Sequence, residues 1–151
     1  MKAVKIYQAG GPEQLIYQDV PTPDIKEGWS LVKIKGFGIN HSEIFTREGK
    51  SPSVQFPRIL GIECVGEVVQ SSTPSLAVGQ KVVFYYGREM GRAFDGSYAE
   101  YVLLPNEQIY PIHTDLETRN PAKATHLQAV GFDEVITKAD GKLQTDQNPK
   151  L

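Results

Sequence analysis

Apolar and polar side chains alternate in short bursts along most of this chain, and glycine and proline separate the bursts. Residues 30–37 show the pattern most clearly. Val32 and Ile34 fall on one side of an extended strand and Lys33 and Lys35 on the other, the period of two expected of a half-buried strand. Residues 62–70 repeat it, with Ile62, Cys64 and Val68 opposite Glu63, Val65, Glu67 and Val69. The same reading predicts strands at 3–7, 15–20, 80–86, 97–104 and 108–112. Gly10-Gly11-Pro12 turns the chain after the first of these, and Pro21-Thr22-Pro23-Asp24 breaks it after the second. Many short strands with glycine-rich connections read as an antiparallel barrel or sandwich.

One short helix interrupts the strands, at about 41–48. Asn40 can cap it, Glu43 stands three residues on as in a capping box, and Gly49 suits the left-handed position after its last turn. After Ile112 the character changes. Asn120-Pro121 is a helix start with proline at the first position. Ala124, Leu127 and Val130 follow at helical spacing, Gly131 can close the helix, and 132–136 reads as a strand. This is a helix–strand unit of α/β type. From 139 onward the periodicity is lost and the chain reads as a flexible tail. The expected organisation is a β domain over 1–115, a helix–strand piece over 116–138, and a tail over 139–151.

Composition narrows the function classes. Of 151 residues 40% are hydrophobic and 23% charged, with a formal net charge of -2, which is ordinary globular usage. The 16 basic residues are scattered, so no stripe points to nucleic acid. No apolar run approaches a membrane span, and the N-terminus is a charged alternating strand rather than a signal sequence. Cys64 is the one cysteine, so no intramolecular disulfide can form. A cytoplasmic protein is expected, with no nucleic-acid or membrane partner.

Five blocks, taken in order, resemble the quinone reductase branch of the medium-chain dehydrogenases and reductases. They are MKAVKIYQAGGPEQLIYQDVPTP, LVKIKGFGINHSEIFTREG, FPRILGIECVGEVV, VGQKVVF and GSYAEYVLLP. The resemblance covers about residues 1–115 and implies a GroES-like, partly open β-barrel with a short helix. The zinc members of that superfamily carry Cys in a G-x-C-x-x-D motif and His in G-H-E-x-x-G. Here those positions are Asn40 and Ile62, and an amide and an alkyl group do not replace thiolate and imidazole on zinc. His41, Glu43, Glu63 and Cys64 do not make a substitute site, because Glu63 and Cys64 leave a strand on opposite faces. No metal is expected.

The metal-free members reduce quinones or activated enones with NADPH. The resemblance therefore implies a small-molecule quinone or enone substrate in a dry cleft, where the protein's task is positioning. Asn40 would orient the substrate carbonyl or the nicotinamide carboxamide, although it is equally a helix cap. Phe45 takes a position where many relatives carry Tyr, so that hydroxyl is missing. The implied catalytic set is Asn40, Phe45 and Glu63, with Glu63 and Arg47 the weaker candidates, for the cleft wall or its support. Phe45 also reads as a core residue, Arg47 as a solvated one, and Tyr98 as a strand residue suited to a pleated surface.

The relatives bind the dinucleotide on a Rossmann domain whose fingerprint is a glycine-rich turn between strand and helix. It is not found here. Gly36-Phe37-Gly38 follows a strand but runs on to Asn40 and His41, and Gly87, Gly91 and Gly96 are too widely spaced. Residues 116–138 nevertheless resemble a remnant of that domain. Thr118 and Arg119 fall where the relatives meet the adenosine ribose and the 2′-phosphate. The expectation is an internally deleted and truncated relative that does not hold NADPH alone. Its uncovered interdomain face would favour a homo-oligomer. A non-catalytic binding module on the same fold is the competing expectation.

Overall fold

The computed structural model describes residues 1–85 and 89–112 in full, together with the backbone of 115–118 and 134–137. The chain divides into two compact units, Met1–Ile112 and His113–Leu151.

In the first unit, β1 (Lys2–Ile6) is flanked by β2 (Ile16–Asp19) and by the two-residue β4 (Arg58–Ile59) in an antiparallel sheet of order β2-β1-β4. The larger sheet contains β3 (Trp29–Gly36), β5 (Cys64–Ser71), β6 (Lys81–Phe84), β7 (Tyr101–Pro105) and β8 (Tyr110–Pro111), in the order β7-β3-β5-β6-β8. All of its pairings are antiparallel. The register of β3 on β5 shifts twice, between Leu31 and Val32 and between Ile34 and Gly36. Such bulges bend a strand and strengthen its twist.

The alternation does what the pattern requires. Cys64 and Val68 of β5, Val82 and Phe84 of β6, and Val102 and Leu104 of β7 join Val32, Leu76, Met90 and Ile109 in one buried cluster. Val65 on the opposite face of β5 is 42% exposed. Burying apolar area at roughly 25 cal/mol per Å² is the main stabilising term for such a core. Ser30, also fully buried, donates its hydroxyl proton to Asn106 Oδ1 at 2.6 Å, so the polar group inside the sheet is satisfied.

The two sheets do not close into a barrel by strand pairing. Residues 96–100 join them instead, by divided allegiance. Gly96 N–H donates to Ile59 O (2.8 Å), Tyr98 N–H to Leu60 O (2.9 Å), and Glu100 N–H to Lys2 O (3.0 Å). In return Tyr98 O accepts from Val4 N–H at 2.7 Å and Glu100 O from Ile34 N–H at 2.8 Å. Because those backbone groups serve three neighbours, this segment is not a strand, and the ladder begins only at Tyr101. The strand expected over 97–104 is therefore shorter at its start. Gly61 sits at the seam with φ +105, and a Cβ there would meet the Ser97 amide nitrogen at 2.6 Å.

In the second unit, β9 (Asp115–Thr118) and β10 (Glu134–Thr137) pair in parallel, Asp115 opposite Glu134 and Thr118 opposite Thr137. Parallel neighbours need a crossover of about a dozen residues or more, which fits the α/β character read from the sequence there. The helix expected over 120–131 and the tail over 139–151 lie outside the described residues. No helix among the described residues is long and apolar enough to cross a membrane.

Candidate functional site

The helix α1 (His41–Arg47) leaves β3 through Phe37, Gly38 and Ile39. Asn40 is its N-cap, with φ -103 and ψ 145. Glu43 returns the cap: its Oε2 accepts from the Asn40 backbone N–H at 2.6 Å. The Glu43 N–H is taken by the Asn40 carbonyl at 3.0 Å. The Asn40 side-chain oxygen completes the capping box toward the Glu43 N–H, so it is the Nδ2 protons that are left to work elsewhere.

Seven residues are too few for a stable isolated helix, so packing must hold α1. The packing is inverted. Glu43, Thr46 and Arg47 are the buried residues, at i, i+3 and i+4. Ile44 and Phe45 remain 38% and 43% exposed, and Ile39 just before the helix is 82% exposed. An ordinary amphipathic helix hides the apolar face. Arg47 explains part of the inversion. Its Nη1 donates to Gly10 O at 2.9 Å, while Gly10 N–H donates to Arg47 O at 2.9 Å. Arg47 is thus a staple between α1 and the turn after β1, not the solvated residue that a short helix suggests.

Asn40 Nδ2 donates to Glu63 Oε1 at 3.3 Å. A carboxylate only accepts, so this contact fixes which end of the amide faces Glu63 and leaves the second amide N–H free of that bond. Gly38 lies close beside the pair: a Cβ there would displace the Glu63 carboxylate from its present position. Glu63 in turn lines an open cavity of about 260 Å³, together with Phe37, Gly38, Cys64, Val65, Val83 and Tyr85. Burial, and next the Glu63 charge, push the Cys64 thiol up to about 12, so it is a core group rather than a nucleophile.

Tyr98 is the residue that sequence reasoning misplaced. Its hydroxyl donates to Glu43 Oε2 at 2.7 Å, and its ring lies against Phe37 with centroids 5.1 Å apart. Burial, then the Glu43 hydrogen bond and charge, raise the phenol above its usual range. Phe37 and Gly36 also line a second cavity of about 300 Å³ that reaches Tyr98, Tyr17 and Lys35. The sequence signal for Tyr98 was present in the GSYAEYV block, but a reading by period two gave it to a strand.

The remaining candidates fall as follows. Phe45 stands on the outward side of α1, edge-on to His41 at 5.1 Å with Lys50 Nζ 5.4 Å from its ring centre, and it does not line the cavity. The structure thus brings Asn40 and Glu63 together and leaves Phe45 apart from them. Thr118 ends β9, its side chain and the whole of Arg119 being outside the described residues.

A family model described as the alcohol dehydrogenase GroES-like domain matches residues 26–114. A zinc-type alcohol dehydrogenase-like protein of Schizosaccharomyces pombe is 35% identical over 109 residues, 71% of this chain and 33% of its own length. A mouse quinone oxidoreductase is 28% identical over 126 residues, 81% of this chain and 36% of its own. The chain therefore spans about a third of the length of these curated relatives. A Pseudomonas syringae quinone oxidoreductase structure superposes with a TM-score of 0.65 at 20% identity, covering 89% of this chain and 58% of that one.

Proposed function

Because this chain belongs to the alcohol dehydrogenase GroES-like domain family, we propose that its first unit is the substrate side of a zinc-independent quinone or enone reductase site. The observation that carries the reading is the Asn40–Glu63 contact, in which Glu63, though not Asn40 itself, lines an apolar cavity. Glu63 holds one amide proton, and the other is available to a substrate carbonyl. Phe37, Val65 and Tyr85 offer flat and branched apolar surface for a conjugated ring. A hydrogen bond to the carbonyl draws electron density from the conjugated carbon that must accept hydride, and the apolar wall keeps water from that carbon.

The donor set does not fit zinc. Asn40 and Ile62 offer an amide and an alkyl group, and Cys64 is buried with its proton held tightly. Among the described residues no three His, Cys, Asp or Glu side chains cluster around a point that could hold a metal.

NADPH is the hydride donor the family resemblance implies, and the described residues do not offer it a phosphate turn. Gly36 belongs to β3, Gly38 packs on Glu63, and a Cβ on Gly91 would meet Gly61 O at 2.6 Å. Among the described residues, Gly36, Gly38 and Gly91 thus serve the packing of the first unit. Thr118 and Arg119 stay as the nucleotide-side candidates, by resemblance only, with the catalytic set being Asn40 and Glu63, and Phe45 the least supported. On this reading NADPH does not bind the chain usefully by itself.

Two measurements test the proposal. Calorimetric titration with NADPH is expected to show no binding in the micromolar range, and micromolar affinity would contradict the cofactor argument. Asn40→Ala is expected to weaken menadione binding about fivefold, the worth of one neutral hydrogen bond; unchanged affinity would remove Asn40 from the site. The missing glycine turn also supports a second reading, a non-catalytic module that binds a small molecule. NADPH consumption by the purified chain with several quinones would exclude that module and overturn the cofactor argument with it, whereas saturable menadione binding without turnover is expected on the first reading.

A further inference from the structure

Glu43 is only 4% exposed, and its Oε2 takes both the Asn40 N–H and the Tyr98 hydroxyl. Its Oε1 is buried without a partner. Capping a helix does not demand this, since a carboxylate at the third helical position serves equally well from the surface. Burying a carboxylate with one bare oxygen costs free energy, so another role for the arrangement is worth seeking.

Tyr98 supplies it through its position. Its backbone N–H is tied to Leu60 O at 2.9 Å, on the arm that carries Glu63 three residues later. Its hydroxyl is tied to Glu43, on the arm that carries Asn40 three residues earlier. Its ring rests on Phe37, the wall of the cavity. One residue thus grips both arms of the Asn40–Glu63 contact and the aromatic surface beside it. We propose that Tyr98 is a positioning residue of the site: by clamping the Glu43 and Leu60 arms together it sets the Asn40 amide against Glu63, with Phe37 alongside. Calling that contact a substrate site rests on the proposed function; the clamp itself does not.

The test uses the full chain and nuclear magnetic resonance of the Asn40 side-chain amide. Tyr98→Phe keeps the ring on Phe37 and the backbone bond to Leu60 and removes only the hydroxyl. The expected result is a folded protein whose Asn40 amide signal moves toward its position in Glu63→Gln. Its Asn40 backbone proton should exchange about tenfold faster, as fits loss of one charge-assisted bond in the network. A folded Tyr98→Phe with the Asn40 signal at its wild-type position overturns the clamp, whatever happens to Tm. Should Tyr98→Phe not fold, 3-fluorotyrosine placed at position 98 keeps the hydroxyl and makes it a stronger donor. The Asn40 signal is then expected to move, and its failure to move overturns the proposal. Menadione titration of the same samples reads the substrate question separately. A displaced Asn40 signal in a protein that never binds menadione upholds the clamp and removes the quinone reading.

Discussion

Cys64 and Glu63 are neighbours with opposite surroundings, and that contrast has consequences in alkali. The Cys64 thiol, ordinarily near 9.0, is pushed up to about 12 by burial and by the Glu63 charge. The unfolded chain therefore releases this proton first. Stability from Cys64 is intact below about 9 and is lost as pH rises toward about 12. The Tyr98 phenol is raised for the same leading reason and acts in the same direction. Thermal melts between pH 8 and 11 are expected to fall, and Cys64→Ala, though less stable at neutral pH, is expected to show a flatter decline. A melt curve that stays level over that range would contradict the burial argument. Native Cys64 should also resist a thiol reagent that labels it at once in denaturant.

Strands were easier to read than the connections between them. The alternation in 30–37 and 62–70 is the direct mark of one face in a core and one outside, so β3 and β5 came out within a residue or two. β4 has two residues and no period to show. The start of β7 was misjudged because residues 96–100 look like a strand locally but give their hydrogen bonds to three partners. The cap of α1 is legible from Asn40 and Glu43, which form a local motif. Tyr98 is not, because its role depends on Leu60 and Glu43, residues 38 and 55 positions away. The seam offers its own test. Gly61→Ala forces a side chain onto φ +105 and against the Ser97 amide, and is expected to cost about 1–3 kcal/mol in denaturant unfolding. A loss below a few tenths of a kcal/mol would show that the seam yields.

At the scale of the molecule, the first unit has a buried apolar core beside several exposed large apolar side chains. Phe37, Ile39, Ile44, Phe45, Val65 and Tyr85 are all more than a third exposed, while α1 turns its charged residues inward. Such exposure marks surfaces that expect cover. Self-association at high concentration is the expected outcome, read by light scattering, and a clean monomer throughout would count against it. The zinc-type and quinone-reductase relatives leave two chemistries open for a fold of this kind, and the amide at position 40 favours the one without metal. The direct test is a menadione titration of the full chain in the presence of a chelator, followed by the resonances of Asn40, Phe37 and Tyr85. The expected result is saturable movement of these three, with the Asn40 side-chain amide among the largest shifts. Saturation with all three unmoved, or binding that the chelator abolishes, would contradict a metal-free quinone site at Asn40 and Glu63.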